Sequence, residues 1–254
     1  MRSPSRQEVL SRRVAFLKQV SLFSDVSEAD LAALVDDFYP KEFSKDEIIF
    51  RQGDTSRELY LVVRGKVRIF RISPAGAETT IAIYSTGDVM GEFAVVDSEP
   101  RSATAKAIEA TDLLLMPHDK FLQHMRHLPD LALSMTKLLS SRVRWTAAFA
   151  ETIAQYDAAG RLLHILLLYN EQFGQEEEAG KRYVLDLSLN QTDLASLVGA
   201  RREWVNRLLR DWQKRGLVAY EAGKIIILDL PRAQAERDSR IEANVGGGGL
   251  VVKI

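Results

Sequence analysis

Cysteine is missing from all 254 residues. That absence removes disulfides, thiolate-held zinc, cysteine-ligated iron–sulfur clusters and cysteine nucleophiles together, and it fits a reducing compartment. Long apolar runs are missing too. The longest, Leu162 to Tyr169, is interrupted by His164 and falls far short of the roughly 20 residues a membrane helix needs. Arg12, Arg13 and Lys18 break any signal-peptide core near the N-terminus. The chain therefore reads as cytoplasmic and soluble, with no membrane partner. A surplus of charge is also lacking: 34 basic residues face 35 acidic ones, for a net charge of -1. Taken whole, that balance weighs against a nucleic-acid binder, although it says nothing about single segments.

What is present is ordinary globular material, 46% hydrophobic and 27% charged, in a length suited to one large or two small domains. Val9, Leu10, Val14 and Leu17 predict a helix to about Val20, and Ser27 with Asp30 forms a capping-box pattern ahead of Leu31, Leu34 and Val35. From Phe43 to about Met116 short β-rich runs follow (Ile48–Phe50, Leu59–Val63, Val67–Ile72, Thr79–Tyr84, Leu113–Met116), separated by turns at Gly53, Gly65, Gly76 and Gly87. Many short, closely spaced strands predict a double-sheet jelly roll or barrel.

After Pro129 no glycine or proline occurs until Gly160. Leu131, Met135, Leu138, Arg142, Trp145, Phe149, Thr152 and Tyr156 recur at spacings of four and three, the seam that pairs two helices in a coiled coil. A helix packed on its own domain is the other reading. Arg142 in a paired seam needs a partner group. Asp157–Gly160 reads as a linker and hinge, Arg161–Tyr169 as an apolar helix, and Asn170–Arg182 as a polar loop carrying Glu176, Glu177 and Glu178. The resulting division is residues 1–128, 129–157, 158–230, and a flexible tail over 231–254 that contains Gly246–Gly249.

Within the third segment Asn190 and Asp193 form a second capping pattern, Leu194, Ala195, Leu197 and Val198 an apolar face, and Gly199 a tight turn. A further helix over Arg202–Lys214 turns Val205, Leu208, Leu209 and Trp212 inward. This is a helix-turn-helix pattern, with Arg201, Arg202, Glu203 and Arg207 on the outward N-terminal face that reads a major groove. A surface amphipathic helix with solvated arginines is the alternative, and Gly216–Ile227 reads as a wing hairpin that favours the first reading. Residues 181–215 hold eight basic and four acidic side chains, a local charge of +4 inside the neutral total, as phosphate contacts require.

Between two of the β-rich runs stands Gly91-Glu-Phe-Ala, followed after six residues by Arg101-Ser-Ala-Thr. An arginine fork beside hydroxyls and successive amides suits an anion, and Glu92 suits a sugar hydroxyl. A Glu92–Arg101 ion pair across the loop is the alternative. No nucleophile elbow, Walker loop or metal-ligand spacing is present, which predicts neither an enzyme nor a metal site.

Together these motifs resemble the cAMP receptor protein family of bacterial transcription regulators, the CRP/FNR superfamily, over about residues 15–230. The resemblance implies an α+β protein: a cyclic-nucleotide-binding β-roll, a long dimerisation helix and a C-terminal winged helix-turn-helix. It implies that Gly91, Glu92, Phe93, Ala94, Arg101, Ser102 and Ala103 form the phosphate-binding cassette, with Arg101 and Ser102 on the cyclic phosphate and Glu92 on the ribose. Arg142 falls where relatives brace that glutamate, and Thr146 where they touch the base. Arg201, Arg202, Glu203 and Arg207 fall on the DNA-reading face, favouring a GTGA-type half-site. The implied partners are a palindromic double-stranded operator, a second copy of the chain and RNA polymerase; the implied effector is cAMP, with no other cofactor. Departures are Ala147 where a second hydroxyl is usual, Ser102 as a group that also suits cGMP, and Arg201 in place of a small capping residue. A response to another small molecule, or a vestigial pocket with constitutive activity, is the alternative. The lack of cysteine excludes the iron–sulfur branch, and His118, His124 and His127 read as surface or packing residues, not haem ligands.

Overall fold

The computed structural model describes residues 6–241, which divide into two compact units, one ending at Val143 and one beginning at Arg144. The first unit opens with α1 (Arg6–Gln19) and α2 (Glu28–Val35). Strands β1 (Tyr39–Phe43), β2 (Ile48–Phe50), β3 (Leu59–Arg64), β4 (Val67–Ile72), β5 (Glu78–Tyr84) and β6 (Val89–Met90) follow, then α3 (Glu92–Asp97), β7 (Thr104–Ala107), β8 (Thr111–Met116), α4 (His118–His127) and α5 (Pro129–Gln155). The strands form two four-stranded antiparallel sheets, in the orders β1-β8-β3-β6 and β2-β7-β4-β5, which is the double-sheet roll expected from the glycine-punctuated runs. Ser27 caps α2 by accepting from the Asp30 amide at 3.2 Å, while Asp30 answers the Ser27 hydroxyl rather than its backbone N–H.

Side chains alternate faces along a strand, so the unbroken apolar texture of β3 and β8 means that both faces are covered. Tyr60, Val62, Leu113 and Leu115 enter the core between the sheets with Val67, Ile69 and Ala105. Leu59, Leu61, Leu114 and Met116 point the other way, into a second core with Leu17, Phe23, Leu31, Leu34 and Phe121. Each such aliphatic side chain contributes about 1.5–3 kcal/mol on burial. Strand β1 carries Pro40 and only one buried residue, Phe43; an edge position tolerates proline and leaves no alternating signature in the sequence.

The expected pairing seam of α5 is corrected in its first half. Leu131 and Met135 belong to the first unit's own core, with Leu138 packed against it, and Arg142 is turned to Glu92. A neighbouring stripe faces outward instead: Leu133 is 54% and Val143 68% exposed, with Thr136, Ala147, Ala150 and Ala154 exposed at the same spacing. Small residues carry little hydrophobic signal, so this row was masked by the larger side chains of the packed one.

The second unit holds the end of α5, then α6 (Ala158–Phe173), β9 (Gly174–Glu178), β10 (Arg182–Leu185), α7 (Gln191–Ser196), α8 (Arg202–Lys214), β11 (Val218–Glu221), β12 (Lys224–Ile227) and α9 (Leu230–Asp238). Its sheet runs β11-β12-β10-β9. The linker expected at Asp157–Gly160 is the start of α6: the Asp157 carboxylate accepts from the Gly160 amide at 2.6 Å, and an aspartate N-cap begins a helix. The loop expected over Asn170–Arg182 is the last turn of that helix plus a hairpin, in which the Tyr183 hydroxyl donates to Glu176 at 2.8 Å. The tail expected from residue 231 gives way to α9, because Ala233 is buried and Arg240 donates to Asp157 at 3.1 Å. Gly246–Gly249 lie outside the described residues. Among the described residues no helix is long and apolar enough to cross a membrane, and no group of three or more His, Asp or Glu is placed to hold a metal ion.

Candidate functional site

The first unit builds its site around the β6–α3–β7 segment. Gly91 follows β6 at φ +83° as the N-cap of α3, and a Cβ there would lie 2.5 Å from Arg101 Nη1 and 2.9 Å from the Glu58 carbonyl oxygen. Glycine is thus required both by the left-handed backbone and by the close approach of the guanidinium. Arg101 is only 3% exposed. Its Nε donates to Ser56 Oγ at 3.2 Å, Nη1 to the Gly91 carbonyl at 3.1 Å, and Nη2 to the Glu58 carbonyl at 2.9 Å. The ring centroids of Phe50 and Tyr60 stand 4.4 and 5.2 Å from the guanidinium carbon. Burial lowers the arginine's pKa from its usual value, opposed by Tyr60 and Glu58. The Tyr60 hydroxyl is pushed up to about 12, by burial first and by Glu58 second. The loop is pinned by Gly53 and Arg101, each donating its amide to a carbonyl across it at 2.8 Å.

Glu92 starts α3 and is buried. Arg142 of α5 donates through Nε to its carboxylate at 3.2 Å and through Nη2 to the Val89 carbonyl at 3.1 Å, with its guanidinium over the Tyr84 ring at 4.5 Å. Burial raises the Glu92 pKa, and Arg142 acts against that rise. The alternative of a Glu92–Arg101 ion pair is replaced by two separate pairs, Glu92 with Arg142 and Arg101 with Glu58.

The structure therefore brings Gly91, Glu92, Arg101 and Arg142 together. Ser102 and Phe93 are exposed, whereas Ala94 and Ala103 are buried packing residues. Thr146 lies one turn beyond Arg142 on α5 and belongs to the second unit. Ser56, Glu58, Phe50 and Tyr60 were missed by sequence reasoning. A charged or aromatic residue at the mouth of a strand is commonplace, and only the fold carries residues 50–60 to a position beside residue 101.

The second unit presents a different chemistry. Asn190 caps α7 with a complete capping box: its side chain accepts from Thr192 at 2.8 Å and Asp193 at 3.0 Å, and Asp193 answers the Asn190 amide at 3.0 Å. Gly199 turns the chain at φ +66° into α8, whose inner face buries Val205, Leu209 and Trp212. Arg201, Arg202, Glu203 and Arg207 are all exposed, and Arg201 makes no side-chain cap bond, as its replacement of a small capping residue suggested. The β11–β12 hairpin turns at Ala222 and Gly223, both with positive φ, and Tyr220 ties it to the start of α7 by donating to the Leu189 carbonyl at 3.0 Å. The result is a helix-turn-helix with a wing, carrying four charged side chains free of core duty at the tip of its second helix.

Residues 40–127 match the family model of the cyclic nucleotide-binding domain, and residues 160–234 that of the Crp-like helix-turn-helix domain. A CRP-like cAMP-activated global transcriptional regulator of Mycobacterium tuberculosis is 30% identical over 216 residues, covering 85% of this chain and 96% of that protein. The cyclic AMP receptor protein of Thermus thermophilus is 30% identical over 210 residues, 82% of this chain and 93% of that one. Among solved structures, the c-di-GMP responsive global regulator CLP of Xanthomonas campestris superposes with a TM-score of 0.67 at 20% identity, over 79% of this chain and 99% of that chain. That likeness is one of fold.

Proposed function

This chain belongs to the CRP/FNR family of transcription regulators, whose members are not enzymes, and from that premise we propose a homodimeric genetic switch thrown by a cyclic nucleotide, with cAMP as its effector. Residues 1–128 act as the sensor, 129–157 as the dimerisation helix and 158–230 as the DNA reader. Arg101 and Ser102 take the cyclic phosphate, Glu92 the ribose 2′-hydroxyl, and Thr146 the base. Arg201, Arg202, Glu203 and Arg207 read the operator, and the exposed stripe of α5 through Leu133 and Val143 pairs with its copy. The observation that carries this reading is Arg142 on Glu92: a side chain of the long helix ends on the carboxylate that would hold the ribose, so pocket occupancy is felt by α5.

Two relatives whose names include cAMP, each 30% identical, support that effector. Ser102 supports a second reading, cGMP, because its exposed hydroxyl stands next to the phosphate arginine in the chain and suits a guanine amine. Nucleotide binding shifts a pre-existing equilibrium towards the state whose two recognition helices fit successive major grooves, about 34 Å apart. The protein acts in the cytoplasm, with RNA polymerase as a further partner. Coupling of about 1–3 kcal/mol is typical of such switches, so the unliganded protein binds the operator more weakly but measurably.

Titration calorimetry with cAMP and cGMP, followed by gel shift at fixed salt, tests the reading. Arg101→Ala is expected to abolish nucleotide binding, and saturating nucleotide to raise operator affinity. Unchanged nucleotide affinity in the variant, or operator affinity indifferent to nucleotide, overturns it.

A further inference from the structure

Arg101 already has an anion beside it. The Glu58 carboxylate stands 3.4 Å from Nη2, and the two side chains differ sharply in exposure, 1% for the arginine and 33% for the glutamate. We propose that Glu58 is a built-in competitor for the Arg101 site, so that an anionic effector binds by displacing this carboxylate into solvent. The inference rests on reading Arg101 as the effector's phosphate partner and adds a specificity-determining residue to that pocket.

A guanidinium buried without a counter-charge is costly, and Glu58 supplies that charge at the solvent side of the pair. Its hold through the side chain is loose: charge-assisted N–H···O bonds run about 2.7–2.9 Å, well inside the 3.4 Å found here. Its hold through the backbone is firm, because the Glu58 carbonyl accepts from the same Nη2 at 2.9 Å. The carboxylate can therefore leave while the carbonyl, together with Ser56 and Gly91, keeps the guanidinium in place. Each arginine of the pocket has its own carboxylate, Arg101 with Glu58 and Arg142 with Glu92. An incoming anion at Arg101 meets the like charge of the Glu58 carboxylate, 3.4 Å from the guanidinium, unless Glu58 moves out. The Tyr60 hydroxyl also donates to the Glu58 carboxylate, at a long 3.5 Å, so the side chain is held by two stretched bonds. The consequence is selectivity: a small anion with only its charge to contribute, such as inorganic phosphate, meets an occupied site. A nucleotide brings ribose and base contacts that offset the displacement.

The test uses the full-length protein, Glu58→Gln, which keeps the shape and an oxygen acceptor, and Glu58→Ala as a second variant. Titration calorimetry measures cAMP affinity, and thermal denaturation measures stabilisation by inorganic phosphate against chloride of equal ionic strength. The expected result is cAMP binding about tenfold tighter in Glu58→Gln, a difference of about 1.4 kcal/mol. Phosphate is expected to raise the Tm of both variants but not of the parent, and Arg101→Ala added to Glu58→Gln is expected to abolish that rise. Parental or weaker cAMP affinity in both variants, with no gain in phosphate stabilisation, overturns the proposal. The two readings fail separately. If no form binds cAMP but phosphate stabilises Glu58→Gln through Arg101, the effector assignment falls and the competitor role stands. If the parent, Glu58→Gln and Glu58→Ala bind cAMP alike and phosphate stabilises none of them, while Arg101→Ala abolishes binding, the competitor role falls and the effector assignment stands.

Discussion

Glu92 and Arg142 are separated by 50 positions in the chain and by 3.2 Å between carboxylate and guanidinium. The glutamate is almost wholly enclosed while the arginine keeps a quarter of its side chain exposed. Burial outweighs the ion pair, since the Glu92 carboxyl is held above its ordinary pKa despite Arg142. The pair is therefore a costly fixture of the folded state, retained where the sensor's candidate ribose acceptor meets the long helix.

Removing one partner strands the other. Arg142→Ala leaves a buried carboxylate without its counter-charge, and the expected loss is about 3 kcal/mol, read as a lower urea midpoint. Glu92→Gln removes the buried charge itself and is expected to cost far less, so the double variant should sit closer to Glu92→Gln than to the sum of the singles. Equal losses for the two single variants count against the account.

The pH dependence follows from the same burial. A carboxyl raised in the folded state binds its proton more tightly there than in the unfolded chain, so stability falls as pH rises from the ordinary glutamate value through the raised one. Asp88 is likewise raised, by burial, and contributes the same sign. Because Glu92→Gln leaves Asp88 intact, the difference in unfolding free energy between parent and variant isolates Glu92. That difference should move in the variant's favour across this window and level off above it; a difference that is flat with pH refutes the assignment.

Gly91→Ala combines two penalties, a left-handed φ of +83° and a Cβ placed 2.9 Å from the Glu58 carbonyl and 2.5 Å from Arg101 Nη1. Backbone strain of this kind costs about 1–3 kcal/mol, and the arginine must also shift. The expected outcome is a lower Tm together with loss of nucleotide binding by calorimetry. Gly76→Ala also has positive φ but nothing within 4 Å of its Cβ, so it should lower Tm without touching nucleotide affinity.

The helix-turn-helix was legible in the sequence to the residue over Arg202–Lys214, because cap, apolar spacing and turn glycine all act locally. The β-roll was legible through its glycine turns, and the Gly91–Thr104 motif through the chemistry of one short segment. What sequence left out was set by distance along the chain. Glu58 and Ser56 reach Arg101 only after β2, β3 and β7 have come together. Likewise α9 is held by partners far upstream, Arg215 paired with Glu236 and Asp157 with Arg240, so its charged sequence resembled a tail. The misplaced half of the α5 seam has the same origin, since periodicity finds an apolar row without saying which neighbour covers it.

The role of α9 is checked by ending the chain after Asp229. The truncation uncovers the site filled by Ala233 and breaks the Arg215–Glu236 and Arg240–Asp157 pairs. A drop of at least about 5 °C in the Tm of the DNA-reading unit is expected, since about 1 kcal/mol shifts a domain of this size by 4–8 °C. Nucleotide affinity should be unchanged. A transition at the parental temperature would show that α9 adds nothing to that unit.

Arg202 and Arg210 separate base reading from backbone attraction on one helix. Both are exposed on α8, but Arg202 is at its first turn, where a recognition helix meets base edges, and Arg210 lies two turns further along. Arg202→Ala is expected to cost about 1–3 kcal/mol on a palindrome of GTGA-type half-sites and much less on unrelated DNA, because a lost bidentate base contact is a loss of discrimination. Arg210→Ala should weaken both DNAs by similar factors and flatten the dependence of log K on log salt by about one phosphate's worth. Gel shifts of the nucleotide-saturated protein on both DNAs, across a series of salt concentrations, distinguish the two effects. Equal weakening of specific and unrelated DNA by Arg202→Ala would assign that residue to the phosphate backbone and move the reading of bases to Glu203 and Arg207.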